Sequence, residues 1–97
     1  MTKRVFVLND GGQDYSAAND FGELIFCTEG TLNKTDIAQL YRLLSPILDE
    51  SNADDYVLLN GFASLCSVAS SIMAALHGEV HFLVYSNGKY QVKDLLL

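Results

Sequence analysis

The chain has no tryptophan, one proline, two cysteines and only six basic residues among 97. Each shortage excludes something. Six Lys and Arg against twelve Asp and Glu, a net charge of -6, do not supply the clustered cations that track a phosphate backbone, so nucleic acid is not expected as a partner. Lys3 and Arg4 stand at the start, Lys34 and Arg42 in a helical pattern, and Lys89 and Lys93 alternate along a strand, a distribution that suits solvated surface. Cys27 and Cys66 each lie inside an apolar run and make no disulfide framework; both read as buried thiols. The longest apolar stretch is interrupted by serines and falls short of the roughly 20 residues of a membrane span. Only four apolar residues follow Lys3 and Arg4, too few for a secretory signal, and a cytoplasmic location is expected.

Hydrophobic residues make up 49% of the chain, enough for a packed core, and the length points to a single domain over residues 1–97. Arg4 to Leu8 is a short β-branched and aromatic run closed by Asn9, Asp10, Gly11 and Gly12, which reads as a first strand. Residues 14–22 make either one helical turn, capped by Asp14 and stopped by Gly22, or an irregular loop. Leu24 to Thr28 is a second continuous apolar run, expected where both faces of a strand are covered.

Asn33 is placed to cap a helix with Asp36 at its third position, and Ile37, Leu40, Tyr41, Leu44, Ile47 and Leu48 recur on one face. Pro46 must kink this helix or restart it with Ser45 as cap. Tyr56 to Asn60 reads as a third strand. Gly61 then opens a segment without charge up to His77, and Gly78 ends it as a helix-terminating glycine does. Being apolar nearly all round, this second helix is expected to be buried on more than one side. Val80–Tyr85 and Lys89–Leu95 flank Ser86-Asn87-Gly88, the signature of a tight antiparallel hairpin. The order β-β-α-β-α-β-β implies an α/β fold: a small, mostly parallel sheet of about five strands, two main helices and a C-terminal antiparallel β-hairpin.

In such sheets ligands bind beyond the C-terminal strand ends. That edge gathers Asp10, Gly11, Gly12, Thr28, Asn60, Gly61 and Ser64 as candidate ligand-binding residues: Gly11-Gly12 for a nest of backbone amides, and the start of the second helix with Ser64 for an anion. The pattern matches neither a dinucleotide fingerprint nor a phosphate loop, and turn formation alone is the favoured role of the glycines. Asp10, Asp14 and Asp20 lack the pattern of a calcium loop, so no metal and no cofactor is expected. A nucleophile at Cys66 or Ser64 needs a base, and spacing puts neither His77 nor His81 beside it. No catalytic residue is therefore assigned. Ser67, Ser71, Ile72 and Ala75 form a small and apolar stripe on the second helix, suited to close packing within the chain or against a second copy.

The segments Asp10 to Asn33, Asp54 to Gly61 and Asn87 to Tyr90 resemble small uncharacterised proteins encoded by phages and prophages. The resemblance implies expression inside a bacterial cell and carries over no catalytic motif. Two functions remain in view. One is a non-enzymatic accessory protein that acts through protein contacts, as a homo-oligomer or on a host protein. The other is a small-molecule binder, of a nucleotide-like ligand, at the strand ends.

Overall fold

A computed structural model describes residues 3–97. Five strands form one sheet in the order β2-β1-β3-β4-β5: β1 (Arg4–Val7), β2 (Glu23–Phe26), β3 (Tyr56–Leu58), β4 (Glu79–Ser86) and β5 (Lys89–Leu96). The first four are parallel and β5 is antiparallel to β4, so the α/β reading with a terminal hairpin is borne out. Asn87 and Gly88 turn that hairpin with φ of 53° and 81°, the positive values its two-residue turn requires.

Helices α1 (Ile37–Leu48) and α2 (Ala63–His77) cover one face, where Phe6, Leu8, Val57 and Val80 meet Leu40, Leu44, Leu65 and Met73. On the other face the 3-10 turn η1 (Ser16–Asp20) and its flanks bring Tyr15, Ala18 and Phe21 onto the cluster of Val5, Val7, Leu58 and Leu83. Residues 14–22 therefore contain the short helical turn. Its cap position is Tyr15 instead of Asp14, which lies two residues before the turn and accepts from Ser16 N at 2.9 Å. Gly22 passes so close to β1 that an added Cβ would lie 2.4 Å from the carbonyl oxygen of Lys3, which leaves room for glycine alone.

Four details differ from the sequence reading, each for a local reason. Asp36, not Asn33, caps α1: its carboxylate takes Gln39 N at 3.1 Å, while the Asn33 side chain closes the preceding turn on Thr35. The helix runs through Pro46 to Leu48 without a restart at Ser45; Pro46 has no N–H for the carbonyl of Arg42, and both residues are exposed. Strand β2 is an edge strand whose residues are only partly covered, not one sandwiched on both faces. The second helix buries one stripe, Leu65, Val68, Ala69, Ile72 and Met73, and leaves Ser67, Ser71, Ala75 and Leu76 exposed.

The central pair β1 and β3 is clamped at its start by Asp55, which is 0% exposed. One carboxylate oxygen takes Arg4 N at 2.9 Å. The other takes Asn52 N at 2.8 Å and the Arg4 guanidinium at 3.1 Å, and that guanidinium also donates to Glu50 O. Removing this carboxylate strands two backbone donors and one cation. Asp55→Ala is expected to lower the unfolding free energy by about 2–4 kcal/mol in urea titration, and Asp55→Asn by less, since the amide oxygen still accepts one bond.

Candidate functional site

The strand-end edge is where the fold directs a search for ligands. The order β2-β1-β3-β4 places a topological switch between β1 and β3, outside whose C-terminal ends a crevice is expected. Here a side chain fills it. Asn60 Oδ1 accepts from Leu8 N at 3.1 Å and Asn9 N at 3.4 Å, while Nδ2 donates to Asn9 O at 2.6 Å and to the Tyr15 hydroxyl at 3.0 Å. All four hydrogen-bonding positions of the amide are used. Thr28 ties in β2, donating to Leu8 O at 2.6 Å and Asn9 Oδ1 at 3.2 Å.

The other strand-end candidates are committed in the same way. Asp10 places its own carboxylate on Gly12 N at 3.0 Å, where an anion in a Gly11-Gly12 nest would have to sit. Ser64 donates to Lys34 O at 2.6 Å and ties the start of α2 to the loop before α1. Asn60 and Gly61 border a cleft of about 460 Å³ beside Tyr15, whereas Asp10, Gly11, Gly12 and Thr28 lie outside it. No Lys or Arg lines that cleft.

A larger cleft, of about 860 Å³, opens between the exposed sides of α1 and α2. It gathers Ser67, Ser71, Ile72 and Ala75 together with Ser64. Its other wall is a feature the sequence pattern concealed. Ile37 and Tyr41 fall at core spacing, yet they are 50% and 54% exposed and face the cleft, as does Leu76 at 46%. Leu40, Leu44 and Leu48, four residues apart, are the fully buried residues of α1, with Ile47 packed partly covered against the core. The one cation and the one anion on the cleft's rim, Arg42 and Asp49, make no ion pair among the described residues.

Residues 3–95 match the family described as Phage Pam3 gp32-like protein. The chain belongs to that family. The resemblance to small phage proteins is thus borne out. No curated protein and no solved structure matches the chain.

Neither candidate nucleophile, Cys66 nor Ser64, is brought to a histidine among the described residues: Cys66 bonds Asn60 O and Ser64 bonds Lys34 O. Cys66 and Ser64 stand on the helix-covered side of the sheet, while His81 packs against Tyr56 on the η1 side. Burial pushes the Cys27 thiol up to about 12. It raises Cys66 as well, so neither sulfur is held as a thiolate. His77 bonds Ser51 Oγ at 2.9 Å and helps seat the end of α2. Among the described residues no group of three or more His, Cys, Asp or Glu is arranged to hold a metal ion.

His81 is the most distinctive polar group on the open face. Its Nδ1 lies 2.7 Å from Asp94 Oδ1 and its Nε2 2.7 Å from Glu79 Oε1. The hydrogen bonds to Asp94 and then Glu79 raise its pKa above the ordinary imidazole value. The folded state therefore holds the proton more tightly than the unfolded chain. This contribution to stability is fully present below pH ~6.5 and is lost as pH rises through the folded pKa. The urea midpoint is expected to fall over that upper window in the natural protein, and the fall is expected to shrink in His81→Gln. Asn60→Ala is expected to cost about 2–4 kcal/mol and Tyr15→Phe about 1 kcal/mol, with a coupling of at least about 0.5 kcal/mol in the double-mutant cycle because the two share one network.

Proposed function

We propose that this protein works in the cytoplasm of the bacterial host as a non-enzymatic accessory protein that self-associates through the face formed by α1 and α2. The observation that carries the reading is the cleft itself. Apolar side chains at Ile37, Tyr41, Ile72 and Leu76, three of them exposed, surround a floor of small residues, Ser67, Ser71 and Ala75. A chain of this size gains by covering such a surface, and small residues allow a second helix to approach closely.

Charge placement favours a second copy as the occupant. Arg42, within α1, and Asp49, at its C-cap, both line the cleft seven residues apart, so the face carries one charge of each sign at separate places. A surface bearing one unpaired charge of each sign is self-complementary about a two-fold axis: each Arg42 meets the partner's Asp49 and the reverse. A host protein with an apolar helix is the other occupant this face would accept.

Sedimentation equilibrium tests the reading. The natural chain is expected to be dimeric or larger, and Ala75→Glu, at an exposed position, to raise the dissociation constant at least about tenfold while leaving the fold intact. Arg42→Glu and Asp49→Arg are each expected to weaken association, and the two together to restore it. A chain that stays monomeric at its highest soluble concentration overturns the self-association.

A further inference from the structure

The smaller cleft lies at the end of β3, on the η1 side of the sheet and away from the α1–α2 face. Three of the five tyrosines wall it. Tyr85 and Tyr90 are direct cross-strand partners at the hairpin, with ring centroids 5.1 Å apart and planes at 69°, so they form a corner instead of a stack. Tyr15 is held in place at its hydroxyl, which donates to Asn9 O and accepts from Asn60 Nδ2. Tyr85 is 60% exposed, although nothing in a small sheet requires a large aromatic ring at that position.

The one charged side chain that lines the cleft is negative. Asp14 lines the cleft, and its hydrogen bonds from Ser16 hold its carboxyl below the usual carboxylate range, so it is anionic at neutral pH. Gln13 and Asn60 are the remaining polar side chains, and the whole chain carries a net charge of -6. Burial, followed by the neighbouring phenols and Asp14, raises the Tyr90 hydroxyl, which keeps that ring neutral. A phosphate or carboxylate entering here would meet a carboxylate and no cation. A bare metal ion would find a single carboxylate. An organic cation would find aromatic surface for its alkyl shell and a counter-charge at the rim.

We propose that this cleft binds a small organic cation, an alkylated ammonium or guanidinium head, with Tyr15, Tyr85 and Tyr90 as its walls and Asp14 as its counter-ion. The cleft's volume of about 460 Å³ accommodates such a head without displacing Asn60 from the strand ends. The site does not depend on self-association, since its lining comes from the opposite side of the sheet.

The test is a titration of the full chain with choline, followed through the tyrosine ring signals by NMR. Its neutral carbon isostere, 3,3-dimethylbutan-1-ol, serves as control, and Nα-acetylargininamide as a second probe. Saturable shifts of the Tyr85 and Tyr90 signals are expected with a cationic probe, with the isostere at least about fivefold weaker. Tighter binding of choline identifies a free alkylammonium as the source of the head group, and tighter binding of the arginine derivative identifies a protein side chain. Tyr85→Ala is expected to weaken binding about five- to tenfold. Asp14→Asn, which keeps the bond to Ser16 N, is expected to weaken it several-fold, and less so in high salt. Both positions are exposed, and a melting curve confirms that each variant is folded; should Tyr85→Ala not fold, Asp14→Asn alone decides. No saturable shift with either cation, or an isostere that binds as tightly as choline, overturns the proposal.

Discussion

The fold depends on the parallel pairing of β1 with β3, three residues long, and on the two polar side chains that clamp its ends. A parallel ladder this short gains little from its own hydrogen bonds and has no tight turn to fix its register. Asp55 supplies the register at the start by taking Arg4 N, and Asn60 supplies it at the finish by taking Leu8 N and Asn9 N. Between these clamps the side chains alternate. Phe6 and Val57 go to the helices, and Val5, Val7 and Leu58 go to the η1 face. A slip of one residue would exchange these sets and place both clamps out of reach of their donors.

The clamp at Asn60 also decides what the strand-end edge can do. In many open parallel sheets the crevice beside the switch point stays free for a ligand. Here its backbone donors are satisfied from within, and the recess is displaced sideways, toward β4 and the hairpin, where Tyr15, Tyr85 and Tyr90 stand. The same hydrogen bonds that hold Asn60 hold the Tyr15 hydroxyl, so one network serves both the register of the sheet and the shape of the cleft beside it.

The two faces of the sheet are covered unequally, and the surfaces that offer contact follow from that. The α1 and α2 side has two long helices whose buried stripes meet the sheet and whose outer apolar residues line the cleft between them. The η1 side has one short turn, a buried alanine and tyrosine, and a hairpin whose outer end leaves aromatic and charged side chains in the open. His81, between Glu79 and Asp94, sits there as a partly covered triad, and its partners favour the charged imidazole.

Much of the architecture was legible in the residues. Asn87-Gly88 specified the hairpin because both residues adopt positive φ, and the runs at Val5, Ile25, Val57 and Phe82 declared strands through β-branched and aromatic content. The stripe Ser67, Ser71, Ile72 and Ala75 announced the small-residue wall of the interhelical cleft. Its opposite wall was hidden, since Ile37 and Tyr41 share the spacing of Leu40 and Leu44, and periodicity reports a direction around the helix axis without reporting what stands there. Asp55 was hidden as well: beside Asp54 it reads as one of two loop acids, and only the approach of Arg4, 51 residues away, makes it a buried counter-ion. The tyrosine cleft joins residues 15, 85 and 90, whose proximity comes from the sheet order and from no local pattern. The sequence by itself determined the element types, the hairpin and the acidic surface, because these rest on local torsions and composition. Tertiary structure alone decided which polar groups are consumed as clamps and which rings and carboxylates share a cleft, because those depend on contacts between distant segments.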